Sequence, residues 1–313
     1  MATGWYGARP MPTPRAEVAS ALVDGRIYVV GGFTEDGKSS NVVEVYDPKS
    51  DTWTDIEPMP ERLDHPMAAG AGGKLFVIGG WRVFGEQASD AVHEYDPATG
   101  RWRSRANLPL PRAAGGAASD GATLYVIGGI GPEPETGFAY DVATDTWQRL
   151  APMTAPREHL AVVVANRKVY AIGGRWSDRG NVATVEEYDP PTDTWRARSP
   201  MPTARGGLAA AVVRLPFSGE RIHVVGGESF GEGSRTFDNN EAYDPVDDTW
   251  STKAPMPLGR HGLAAQAIDD EVYVIAGGQT PGLSVSDYVY RLVQHDLPPV
   301  TIDEQAPPIE AGE

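Results

Sequence analysis

The sequence contains no cysteine, which removes disulfides, thiolate metal sites and cysteine nucleophiles at the outset. No stretch approaches the roughly 18 apolar residues of a membrane-spanning helix. The opening MATGWYGARP has neither the basic segment nor the apolar run of a secretory leader. A soluble chain, cytoplasmic and without a membrane partner, is therefore expected. Positive charge is scarce too: 27 Lys and Arg face 43 Asp and Glu, for a net charge of −16. Such a field repels a polyanion, so nucleic acid is not an expected partner.

What the chain has in quantity is glycine and proline, 36 and 27 of 313 residues, beside 41% hydrophobic residues. That combination describes a folded chain with many turns, not a disordered one. The glycines are ordered: Gly-Gly pairs occur at Gly31, Gly79, Gly128, Gly173, Gly226 and Gly277, at intervals of roughly fifty residues. Each pair ends a β-rich run (IYVV, LFVI, LYVI, VYAI, IHVV, VYVIA) that follows a segment of small residues through a turn such as Asp24-Gly25 or Asp120-Gly121. This is a hairpin signature. A loop of variable length leads to Tyr46, Tyr95, Tyr140, Tyr188, Tyr243 or Tyr290, and in five units a Trp follows: Trp53, Trp102, Trp147, Trp195 and Trp250.

Each unit thus carries four strands. Small residues in the first strand, as in Ala113 to Ser119, suit packing around a common axis, and the Tyr and Trp suit the wider space between diverging sheets. The sixth unit lacks its Trp, and Trp5 precedes the first PMP phrase as the later Trp residues precede theirs. Residues 3–6 are therefore expected to supply the last strand of the sixth sheet, leaving no open edge. The expected fold is all-β: a six-bladed β-propeller of four-stranded antiparallel blades, closed by the N-terminal strand. Residues 1–293 would form one domain, expected to be monomeric, followed by a flexible acidic, Pro-rich tail over 294–313.

The Gly-Gly pairs, spaced Tyr and Trp and a period near fifty resemble the kelch repeat, in the layout of a stand-alone, bacterial-type kelch protein. The resemblance implies a propeller like the galactose oxidase central domain, and functions ranging from protein interaction to oxidation and sugar mutarotation. Copper oxidases of that type need a Cys–Tyr crosslink, which this chain cannot make.

Candidate site residues fall on the face where the Gly-Gly ends of the second strands lie. An Arg precedes each first strand: Arg15, Arg62, Arg112, Arg157, Arg205 and Arg260. Six guanidinium groups around one mouth would hold a carboxylate or an acidic side chain; equally, a residue repeated in every blade has a repeated structural task, such as bonding carbonyls of the neighbouring blade or an acidic residue such as Glu17 or Glu158. The variable loops add Trp81, Arg82, Arg175, Trp176 and Glu228, as binding platforms or as residues folded onto their own loops. His65, His159, His261 and Glu158 are candidates for acid–base catalysis. Glu86, Asp90 and His93 form a Glu-x3-Asp-x2-His run, one residue short of the iron motif of plant specifier proteins, and His93 falls within a strand. Neither a metal nor another cofactor is expected. The expected function is binding of a protein, peptide or small acidic ligand at the Arg-ringed face, without catalysis. The alternative is a mutarotase or epimerase acting on an acidic sugar there.

Overall fold

The computed structural model describes residues 3–294. The tail expected over 294–313 lies, except for Gln294, outside the described residues. All regular elements among the described residues are strands. None forms a helix long and apolar enough to cross a membrane.

Six antiparallel sheets of four main strands make the blades. The first blade runs Ala19–Val23, Arg26–Val30, Val43–Asp47 and Thr52–Asp55 in spatial order. The sixth combines Ala264–Ile268, Glu271–Ile275 and Val289–Val293 with Gly4–Gly7 from the other end of the chain. Trp5 stands opposite Leu292 in that pairing, so the N-terminal strand closes the ring, one residue later than the expected 3–6. The first strands of neighbouring blades touch one another all round the axis, including the sixth against the first. Small residues allow this approach. A Cβ on Gly116 would stand 2.3 Å from the side chain of Val162 in the next blade.

Six apolar clusters hold the disc together, one between each pair of adjacent blades. One joins Tyr28 and Val30 of the first blade to Leu75 and Val77 of the second, and another joins Ile27 and Val29 to Tyr273 and Ile275 across the closure. The repeated Trp residues also act between blades. Trp53 Nε1 donates to the Arg9 carbonyl, Trp102 to Glu57, Trp147 to Ala106, Trp195 to Ala151, Trp250 to Ser199, and Trp5 to Ala254, all at 2.8–2.9 Å. Each ring packs on apolar neighbours while its one polar atom is satisfied, which is what a half-buried indole requires.

Two repeat positions shift in the sixth blade. Leu292, not Tyr290, occupies the place of Tyr46, because Val272 faces Leu292 as Ile27 faces Tyr46. Ala276-Gly277, not Gly277-Gly278, plays the Gly-Gly role, and Ala276 takes the positive φ of 62° that Gly31 takes at 63°.

Candidate functional site

Five of the expected six ring arginines point away from solvent. Arg15, Arg112, Arg157, Arg205 and Arg260 are at most 2% exposed. Each follows a Met or Leu by four residues: Met11, Leu108, Met153, Met201 and Met256. Each guanidinium runs back into its blade to the carbonyl of the first residue of the Gly pair: Gly31, Gly128, Gly173, Gly226 and Ala276, at 2.5–3.1 Å. Those carbonyls sit where the ladder ends and would otherwise be buried without a donor. In three blades the charge is balanced by a buried carboxylate: Arg15 with Glu44 at 2.6 Å, Arg157 with Glu186 at 2.7 Å, and Arg205 with Glu241 at 2.6 Å. In the other two an aromatic face takes the carboxylate's place. Arg112 lies over Phe138 at 5.7 Å and Arg260 over Tyr290 at 5.4 Å. Burial pulls the pKa of Arg112 and Arg260 down to about 10, offset only in part by the charges of Glu135 and Glu133 at Arg112 and by Tyr290 and Tyr288 at Arg260.

The expectation of an arginine-ringed mouth is therefore corrected. Arg62 is the exception, exposed and bonded only weakly to the Ser39 carbonyl at 3.4 Å. Counting four residues from Met59 reaches Leu63, which is fully buried in the arginine slot. Arg62 is thus one position out of register with the other five.

The mouth is built two residues after that slot, by Glu17, His65, Ala114, His159, Gly207 and Gly262. All six have positive φ, between 48° and 66°. Their backbones form a chain of hydrogen bonds around the axis: the N–H of His65 donates to Glu17, Ala114 to His65, His159 to Ala114, Gly207 to His159 and Gly262 to Gly207, at 2.7–3.1 Å. The left-handed conformation turns each N–H and C=O toward the flanking blades. It also aims the side chains at a small axial cavity of about 80 Å³ lined by Glu17, His65 and His159.

Glu17 is the centre of this cavity. Its Oε2 lies 3.4 Å from His65 Nε2 and 3.8 Å from His159 Nε2, and its Oε1 lies 3.0 Å from His261 Nδ1. Carboxylates back the imidazoles: Asp64 meets His65 Nδ1 at 2.7 Å, Glu158 is in contact with His159 Nδ1, and Glu228 lies 3.4 Å from His261 Nδ1. Arg175 links two of them, with Nε to Glu158 at 2.9 Å and Nη1 to Glu228 at 2.7 Å. Burial raises the Glu17 pKa, but the three histidines outweigh it and hold the carboxyl far below its usual range. Burial, helped by Arg175, pushes His159 well down. For His261 burial acts downward too, yet the hydrogen bond and charge of Glu17, with Glu228 beyond, raise it. The four proposed acid–base residues, His65, His159, His261 and Glu158, thus share one mouth. Asp64 was missed from sequence and Glu17 was read only as a partner for an arginine, although aligning each unit on Met11, Met59 and Met153 brings Glu17, His65 and His159 into one column.

Around the mouth the loops form an apolar rim. Phe84 stacks on His65 with centroids 5.5 Å apart and is 57% exposed. Phe230 covers the Arg175 guanidinium at 4.8 Å and is 55% exposed. Leu283 adds a third exposed apolar side chain, beside Gly282, whose N–H donates to Glu228 at 3.1 Å. Of the expected platforms, Trp81 is buried, its backbone bridging Asp64, so it is part of the support and not of the rim. Trp176 lies half-buried in the hairpin Arg175–Trp176 with Gly180–Asn181. Arg82 forms a two-point pair with Glu61 at 2.9 and 3.0 Å. Glu228 is buried among Arg175, His261 and Gly282.

Glu86, Asp90 and His93 are not brought together as ligands. Glu86 is exposed in a hairpin loop, whereas His93 is buried in a blade with its Nε2 4.0 Å from Glu61. Among the described residues, the groups of side chains spaced to hold a metal both contain Glu17: Glu17 with His65 and His159, and Glu17 with Glu228 and His261.

Comparison with known proteins agrees with this architecture. Residues 14–60 and 68–109 match the Kelch motif, and residues 103–278, more than half of the chain, match the KLHDC2/KLHL20/DRC7 Kelch-repeats domain. Kelch-like protein terF of Aspergillus terreus is 33% identical over 308 residues, covering 91% of this chain and 65% of its own length. Kelch-like protein 35 of Homo sapiens is 50% identical over 177 residues, covering 56% of this chain and 29% of its own. The chain therefore spans less than two thirds of these relatives. The solved structure of YjhT superposes with a TM-score of 0.74 at 18% identity, covering 90% of this chain and 96% of that one, which shows the fold alone.

Proposed function

The chain belongs to the kelch-repeat family, and from that premise we propose that it is a binding propeller that grips a protein segment on its loop-bearing face. The observation that carries this is the rim itself. Phe84 and Phe230 are more than half exposed, yet each is held in place by the mouth residue beneath it, His65 or Arg175. Rigid exposed aromatics around a concave centre are the usual anchors of a peptide interface. With five arginines buried, the face offers no guanidinium ring for an acidic ligand. Its centre carries Glu17, Asp64, Glu158 and Glu228 against Arg175, which favours a segment with neutral or basic side chains. Selection of displayed random peptides on the immobilised chain tests the reading. Selected peptides should be apolar with Lys or Arg, and Phe84→Ser with Phe230→Ser should abolish their capture. Capture that is unchanged in the double variant, or a set rich in Asp and Glu, would overturn it.

A second reading, acid–base chemistry on a sugar, is favoured by the convergence of His65, His159 and His261 on Glu17 within one mouth. Saturation-transfer NMR of reducing acidic sugars tests it. Anomer exchange no faster than in buffer removes it.

A further inference from the structure

The mouth poses an electrostatic problem of its own, independent of what docks on the rim. His65 Nδ1 faces the Asp64 carboxylate at 2.7 Å, and His159 Nδ1 faces that of Glu158. A carboxylate only accepts, so each Nδ1 carries a proton, which leaves Nε2 as the nitrogen of each ring placed to ligate a metal ion. Both Nε2 atoms face Glu17 Oε2, from 3.4 and 3.8 Å. All three ligand atoms lie within 4.8 Å of one another. They are buried or nearly so, with side-chain exposures of 5%, 8% and 11%. Two imidazole nitrogens and a carboxylate oxygen so spaced, in a place largely removed from water, can share one cation.

We infer that Glu17 Oε2, His65 Nε2 and His159 Nε2 form a binding site for a divalent first-row transition-metal ion, open toward the axial cavity. Two imidazoles and one carboxylate are a donor set suited to such ions, with positions left for water or a ligand. Atoms bound at 2.0–2.2 Å and tetrahedral angles stand roughly 3.3–3.6 Å apart. The distances from Glu17 to the two rings therefore need only small adjustment. The backing carboxylates Asp64 and Glu158 are the outer partners that ligating histidines characteristically have, fixing tautomer and ring orientation. Asp64 is itself fixed by Ser39 at 2.6 Å, and Glu158 by Arg175 at 2.9 Å. On the other side of Glu17, His261 Nε2 donates to the Thr280 carbonyl at 3.1 Å. Its Nδ1 donates to Glu17 Oε1 at 3.0 Å, with Glu228 3.4 Å away, which fixes that carboxylate and leaves Oε2 for the site. Four carboxylates around the mouth, Glu17, Asp64, Glu158 and Glu228, against the Arg175 guanidinium and the His261 ring leave it the negative charge that a divalent ion neutralises.

The full chain, stripped with chelator and exchanged into metal-free buffer, should be titrated with Co(II) and Zn(II) by calorimetry, with visible absorption for Co(II). One ion per chain is expected, with a Kd in the micromolar range or tighter. Glu17→Gln and His159→Ala should weaken binding by more than about 100-fold, and the outer variants Asp64→Asn and Glu158→Gln by about 10- to 100-fold. Nitrogen-15 spectra of the unsubstituted protein supply the check if a mouth variant fails to fold. Zn(II) should shift the Nε2 signals of His65 and His159 and leave His93 and His223 unmoved. Absence of binding at roughly 100 μM metal, or affinity and histidine signals unaffected at these positions, overturns the site.

Discussion

Arg15 Nη2 donates to Glu44 Oε2 at 2.6 Å, and neither side chain reaches solvent. The pair sits in the first blade between the second and third strands, with Nη1 also holding the Gly31 and Val42 carbonyls. Removing one partner strands the other charge in a medium that cannot solvate it, at a cost of about 3–5 kcal/mol. Arg15→Leu should therefore destabilise strongly in urea unfolding, as should Glu44→Leu. The double variant should cost less than the sum of the two, because the second blade already lives with Leu63 in this slot and His93 in the place of Glu44. Additive costs would show that the ion pair is not the coupling element.

Ring closure rests on Trp5, whose indole packs against the cluster between the fifth and sixth blades and donates to the Ala254 carbonyl at 2.9 Å. Trp5→Ala removes a large half-buried ring and one hydrogen bond, and should lower stability by about 3 kcal/mol. Removing the strand Gly4–Gly7 altogether should cost more, since its pairing with Val289–Val293 is lost as well. A melting temperature lowered by only ~1 °C in the strand deletion would contradict the closure argument.

The ring was legible in the sequence because each blade repeats its packing problem, and repeated problems leave repeated residues such as Gly79, Tyr95 and Trp102. The same repetition misled about the arginines. Six similar phrases suggested six equal side chains at a mouth, whereas burial of a ladder-end carbonyl in each blade demands a donor that points inward. Arg62 shows the limit of matching by eye: only spacing from Met59 reveals that Leu63 holds the shared position. The site histidines were legible from their place just before the first strands, close to the arginines. Glu17 was legible only as a carboxylate that could pair with an arginine, since nothing local marks it as part of a site until the ring brings it 3.4 Å from His65, a residue 48 positions later in the chain.

His223 gives the protein an acid-sensitive point away from the mouth. It is 1% exposed in the second strand of the fifth blade, with Nδ1 2.9 Å from Asn240 Oδ1. Burial pulls its pKa down to about 4 from the ordinary 6.5. The unfolded chain therefore binds the extra proton first as pH falls. Stability from this group is complete above pH 6.5 and is lost as pH drops from about 6.5 to about 4. A depression of this size corresponds to roughly 3 kcal/mol at the acid end. His223→Gln should flatten that limb of the stability–pH curve relative to the unsubstituted chain. Parallel curves for the two proteins between pH 7 and 4 would rule His223 out as the cause.

The inner strands make the sharpest steric prediction. Gly116 lies in the first strand of the third blade, where a Cβ would meet Val162 Cγ2 at 2.3 Å and Val162 Cβ at 2.7 Å. Both atoms belong to the innermost strand of the next blade, which is itself held by its neighbours around the axis, so neither side can retreat without opening the ring. Overpacking of this kind costs typically 1–3 kcal/mol for an added methylene or two, and Gly116→Val adds three carbons. A loss of about 3 kcal/mol or more is expected, with the loss shared between the third and fourth blades in hydrogen exchange. Gly37→Val, at a loop tip with open space around its Cβ position, is the control for adding the same side chain where only backbone conformation resists it. Equal destabilisation of the two variants would show that the axis is less tightly packed than its close contacts require.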